Sequence, residues 1–137
     1  MMEPATLPRI LLVDDDPSFG KIMMRAAAHK GVELHYVKSL EEFAALPDLA
    51  YDVVLMDYDL GAVTGLELTN YLESLSREEI PVVLVSQTQR RSVNNWPESI
   101  REFVSKSLGP FAILEALFEA HEAAVLARKM KRQFAAT

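Results

Sequence analysis

A chain of 137 residues, half of them hydrophobic and 25% charged, has room for one domain around one core. Its formal net charge of -6 argues against a nucleic-acid partner, because such partners are gripped by Lys and Arg on phosphates. The absence of cysteine excludes a disulfide framework or a zinc–thiolate site. No run approaches the ~18 apolar residues a membrane span needs, and residues 1–8 carry no signal-peptide core, so the default is a cytoplasmic domain.

Arg9 to Val13 is a short apolar run of branched residues, the pattern of a buried strand. Asp16 and Pro17 form a helix start, an N-cap followed by proline at the first helical position. Phe19, Ile22, Met23, Ala26 and Ala27 then recur at helical spacing until Gly31 stops the helix. Val32, Leu34 and Tyr36 alternate with polar residues as a second strand, and Ser39 with Glu42 makes a capping box ahead of Phe43 and Leu46. Tyr51 to Asp57 is the third strand. Beyond Gly61 and Gly65 comes a helix carrying Leu66, Leu68, Tyr71, Leu72 and Leu75. Pro81 opens the fourth strand, and Arg101 to Ser105 is the fifth. Between them, residues 87–99 should hold a fourth helix, but Asn94, Asn95 and Pro97 with sparse apolar spacing predict a short or irregular element. Pro110 opens a fifth helix long enough to run ~36 Å, to about Gln133. Its apolar positions, Phe111, Leu114, Leu117, Phe118, His121 and Val125, thin out before a basic end at Arg128, Lys129, Lys131 and Arg132.

Strand and helix alternate about five times, which predicts an α/β doubly wound, five-stranded parallel sheet with about five helices on its two faces. Residues 1–137 form one domain on this reading, with a core of about 8–125 and an extended basic helix or tail at 126–137. In such sheets the carboxyl ends of the strands share one edge, where ligands bind. The first strand ends on Asp14 and Asp15, the third on Asp57, the fourth on Ser86 and the fifth on Lys106. Three carboxylates in one cleft repel each other unless a cation sits among them, and hard oxygen donors suit Mg²⁺. Lys106 offers a point charge to a phosphoryl oxygen, Ser86 a hydrogen bond, and Asp57 a nucleophile able to form an acyl phosphate.

These motifs together resemble the receiver domain of bacterial two-component response regulators. The carriers are Ile10-Leu11-Leu12-Val13-Asp14-Asp15-Asp16-Pro17, Val53-Val54-Leu55-Met56-Asp57 with Gly65 eight residues on, Pro81-Val82-Val83-Leu84-Val85-Ser86, and Phe103-Val104-Ser105-Lys106. The resemblance implies the flavodoxin-like strand order 2-1-3-4-5. It implies that Asp57 accepts a phosphoryl group from a histidine kinase or phosphotransfer protein. Asp15 would bind Mg²⁺ directly and Asp14 through water, with Asp57 and the backbone carbonyl of Asp59 completing the protein's share. Lys106 would pair with the phosphoryl group, Ser86 would move toward it, and Phe103 would be the aromatic that changes rotamer with that hydroxyl. Side chains at Asp59 and Thr88 would tune the lifetime of the phosphoryl group. The fourth helix, fifth strand and fifth helix would form the output face toward a downstream protein, with homodimerisation open.

The sequence departs from that pattern at Gly61 and at Ser107, where proline is common; the Lys106–Ser107 bond is often cis in the family. Two other readings compete. Asp57-Tyr58-Asp59 is similar to the Asp-x-Asp motif of haloacid-dehalogenase-type phosphatases, although there the nucleophile lies on the first strand. A degenerate receiver serving as an unphosphorylated interaction platform is the other. His29, His35 and His121 show neither metal-ligand nor triad spacing.

Overall fold

A computed structural model of the chain describes residues 7–75, 79–87 and 97–135. In chain order it has β1 (Ile10–Val13), α1 (Pro17–His29), β2 (Leu34–Val37), α2 (Leu40–Ala44), β3 (Val53–Asp57), α3 (Gly65–Leu75), β4 (Val82–Ser86), β5 (Ile100–Ser105), a 3₁₀ turn (Lys106–Leu108) and α4 (Pro110–Ala135). The strands form one parallel sheet in the order β2-β1-β3-β4-β5, as the resemblance implied.

Every residue of β1, β3 and β4 is buried, because central parallel strands are covered on both faces. Alternate side chains go to opposite layers. Ile10, Leu12, Val53, Leu55, Val83 and Val85 pack with Met23 and Ala27 of α1 and Ile113, Leu114 and Leu117 of α4. Leu11, Val13, Val54, Met56 and Leu84 pack on the other face with Phe43 of α2 and Leu68 and Leu72 of α3.

The helix starts follow the local chemistry. The Asp16 carboxylate accepts from the N–H groups of Ser18 and Phe19 at 3.0 and 3.4 Å. Ser39 Oγ accepts from the Glu42 N–H, while the Glu42 carboxylate reaches back to the N–H of Lys38. Gly31, at φ 70°, adopts the left-handed conformation just past α1.

Several expectations need correcting. Among the described residues there are four α-helices rather than about five. The fourth helix sought in 87–99 falls mostly on 88–96, outside the described residues, as does Thr88; the helix anticipated as the fifth is α4. The capped helix α2 has only five residues and ends before Leu46. Ile22, Tyr71, Leu75 and Phe111 are exposed rather than core. Leu114 and Leu117 are buried as anticipated, but the rest of the buried stripe of α4 is Ile113, Ala116, Ala120 and Ala124. Half of the whole stripe is alanine, small enough to bring the helix close to its neighbours and easily missed in a scan for large apolar side chains.

Gly65 fixes where α3 begins. Its N–H donates to the Tyr58 carbonyl at 2.7 Å, and a Cβ there would lie 2.6 Å from the carbonyl oxygen of Asp57. A strand carbonyl in a central β-strand has nowhere to go. Gly65→Ala should therefore cost about 1–3 kcal/mol through overpacking, read as a lower urea midpoint. An unchanged midpoint would mean that the start of α3 is free to shift.

Candidate functional site

The carboxyl edge of the sheet gathers the acidic residues. Asp14 follows β1 and is completely buried, its backbone N–H donating to the Val37 carbonyl at 3.2 Å. Its Oδ1 accepts from the Asp16 N–H at 2.8 Å, and Lys106 Nζ lies 2.8 Å from its Oδ2. Asp15 is exposed beside it. Asp57 closes β3 with only 6% of its surface exposed, its Oδ1 accepting from the Asp59 N–H at 3.4 Å and its Oδ2 3.9 Å from Lys106 Nζ. One carboxylate oxygen from each of Asp14, Asp15 and Asp57 lies within 4.8 Å of the others. The convergence expected of these three residues and Lys106 is thus present, although the ammonium sits closer to Asp14 than to Asp57.

The electrostatics follow from burial. Burial, reinforced by the Asp14 carboxylate, pushes the Asp57 carboxyl up to about 7, against the pull of Lys106 and the Asp59 N–H. Burial likewise raises Asp14 above the usual carboxylate range, opposed by Lys106 and the Asp16 N–H. Asp14 Oδ2 forms a close ion pair with Lys106 but is otherwise without a hydrogen-bond partner, so this buried oxygen keeps a lone pair to spare. An all-oxygen set of carboxylates with one underused buried atom fits a hard divalent cation.

Ser86 is buried at the end of β4, in register with Ser105 of β5. Phe103, two residues before Ser105, is half-buried, and its ring centroid lies 5.7 Å from that of Tyr58. The Tyr58 N–H donates to the Val85 carbonyl at 2.9 Å, so the residue after Asp57 touches both β4 and Phe103. Asp59 is exposed and bridges antiparallel to Thr64. The Lys106–Ser107 peptide is trans.

Three contributors escaped the sequence reading. Asp16, assigned to capping alone, also brings Oδ2 to 3.8 Å from Lys106 Nζ. Phe19 presents its ring face 4.7 Å beneath that ammonium. Tyr36 places its hydroxyl in a buried position that raises its pKa to about 12, burial first and then the negative charge of Asp14, Asp16 and Asp15. Helical spacing marks Phe19 as core, but nothing local to it or to Tyr36 announces a lysine at position 106, far along the chain, or a cluster across two strands.

The sequence matches the family described as response regulator receiver domain over residues 10–118. Among curated proteins none matches. Solved structures with the same fold include a CheY-like response regulator receiver domain from Methanospirillum hungatei. It is 21% identical, with a TM-score of 0.73 over 89% of this chain and 99% of that one. NtrX from Brucella abortus is 21% identical with a TM-score of 0.77, over 93% of this chain but only 30% of its own length. A sensor protein from a Polaromonas species is 22% identical with a TM-score of 0.75, over 85% of this chain and 98% of that one.

Proposed function

The chain belongs to the response regulator receiver domain family, and on that premise we propose that it is a phosphorylation-controlled switch whose phosphoacceptor is Asp57. The acidic cluster of Asp14, Asp15 and Asp57 with Lys106 between two of its members is the observation that carries this reading. The donor would be a phosphohistidine on a histidine kinase or phosphotransfer protein. An Asp57 carboxylate oxygen attacks phosphorus, the P–N bond breaks, the imidazole departs, and an acyl phosphate remains.

Asp14, Asp15, Asp57 and the backbone carbonyl of Asp59 would hold Mg²⁺, which supplies positive charge for the transferring phosphoryl oxygens. The chain's own residues do the rest. Asp57 must be ionised to attack, and a buried carboxyl near 7 is only partly so at neutral pH; any cation held by its neighbours favours the ionised form. Lys106, seated on the Phe19 ring and held by Asp14, stands ready to shift its ion pair from carboxylate to phosphoryl oxygen. Ser86 and Phe103 would then transmit the change. A hydroxyl drawn toward the phosphoryl group pulls on the end of β4, whose neighbours include Tyr58 and, through it, Phe103. The output surface for a downstream protein would be β5 and α4 with the segment before them. Asp57 on a central third strand also sits badly with the phosphatase alternative, whose nucleophile lies on the first strand.

Mass spectrometry of the intact chain after treatment with acetyl phosphate and Mg²⁺ tests the proposal. One phosphoryl group should add, mapped to Asp57, and only with Mg²⁺ present. No labelling would leave an interaction platform as the better reading, and sustained turnover of a phosphate ester would favour a phosphatase.

A further inference from the structure

We propose that a groove between α2 and α3 of one copy receives the C-terminal end of α4 from a second copy. The groove has a volume of about 380 Å³ and is lined by Leu40, Phe43, Ala44, Val63, Leu68 and Tyr71, with Glu67 as its one charged residue. Tyr71 stands half-exposed at its edge, its ring against that of Phe43 at a centroid distance of 6.4 Å. Glu41 and Glu42 are exposed on the adjoining α2. The concavity is therefore apolar with an acidic border.

The end of α4 has the opposite character. The last buried residue of the helix is Ala124, yet the helix continues to Ala135. Beyond Ala124, Leu126 is 58% exposed and Met130 48% exposed; at i and i+4 they share one face. Lys129, Lys131 and Arg132 are exposed around them, and the sequence after Glu122 holds no acidic residue. An amphipathic helix that lays its apolar stripe into a groove is a recurrent way of docking. Here the stripe and the groove match in apolar character and are opposite in charge.

The two features cannot meet within one molecule. α4 packs on the sheet face that carries α1, while the groove lies on the face that carries α2 and α3. An unbroken helix to Ala135 has no bend to carry its end around the sheet. Packing two such ends side by side in parallel would set Lys129, Lys131 and Arg132 against their own kind, so the groove of another copy is the better seat. The contact is head to tail rather than two-fold, and a few turns of helix bury less than the ~1,200 Å² of a standard interface, so association is weak and concentration-dependent.

Sedimentation of the full chain up to ~1 mM, with two single-site variants, decides the matter. Ala44→Arg fills the groove with a cation, and Met130→Glu puts a charge on the stripe; both positions are exposed, so the fold should survive, as a melting curve verifies. The wild-type mass should rise with concentration, and each variant alone should associate at least ~tenfold more weakly. A mixture of the two should associate again, because one intact end and one intact groove remain. Since the chain has no cysteine, an Ala44→Cys copy and a Met130→Cys copy, treated with a mild added oxidant, should also form a disulfide with each other and not with themselves. A wild type that stays monomeric overturns the proposal. So does association that Met130→Glu abolishes but Ala44→Arg leaves intact, which would mean end-to-end pairing of α4, and so does a mixture that fails to recover.

Discussion

Lys106→Met should lower stability by about 3–5 kcal/mol at pH 8 and slow labelling by acetyl phosphate ~100-fold or more. Methionine keeps the stem against Phe19 and removes only the charge. What remains is a completely buried Asp14 and a nearly buried Asp57 with no other cation paired to them among the described residues. Breaking a buried ion pair by deleting one partner is costly because the survivor is left charged in a poor solvent. The carboxyls can escape by protonating. Both already sit above their usual range, and without the ammonium they rise further. A group whose folded pKa is raised contributes stability below its unfolded value and loses it as pH climbs through the folded one. The penalty should consequently be small near pH 4.5 and full near pH 8, and Mg²⁺ should restore part of it. Urea unfolding of both chains at the two pH values measures this directly. Equal penalties at both would show that Lys106 acts through packing, not charge.

Much of this site is legible in sequence because each of its residues closes a strand. Parallel central strands have to be continuous apolar runs, so the residue that ends each run is conspicuous, and one topology places all the ends on one edge. Asp14, Asp57 and Ser86 are of this type; Lys106 instead follows the edge strand β5, where Arg101 and Glu102 are exposed and the run is not continuously apolar. What the pattern could not give is distance within the cluster. That Lys106 lies nearer Asp14 than Asp57 depends on the ion pair and on the Phe19 ring, contacts between elements far apart in the chain. The helices were harder. Half of the α4 stripe is alanine, and the large apolar residues that helical spacing assigned to cores, Ile22, Tyr71 and Phe111, face outward. Periodicity reports that a helix has a face, but which neighbour covers it is a property of the assembled layers. Tyr71 and the end of α4 are the places where that mismatch leaves apolar surface to be used.

Asp57→Asn should abolish labelling altogether and, without Mg²⁺, should make the folded chain more stable at pH 8. The first effect follows from the loss of the nucleophile. The second follows from the charge it carries. In the wild type the Asp57 carboxyl titrates near 7 when folded, well above its unfolded range near 4. Between those values the folded state holds a proton that the unfolded state has released, so stability falls as pH rises through the window and levels off above it. Asparagine retains an oxygen for the Asp59 N–H at that position and removes the repulsion with Asp14. The gain should be on the order of 2–4 kcal/mol at pH 8, shared with Asp14 because the two titrate as a pair, and close to nothing at pH 4.5. At about 4 °C per kcal/mol for a domain of this size, the melting temperature reports it readily. Added Mg²⁺ should then invert the order. It binds the folded wild type most tightly where all three carboxylates are ionised, and it raises stability by mass action. The wild type should gain most at pH 8 and little at pH 4.5, and Asp57→Asn should gain less at either. If Mg²⁺ stabilises both chains equally, the ion is not held by Asp57, and the acidic cluster would have to work without its central member.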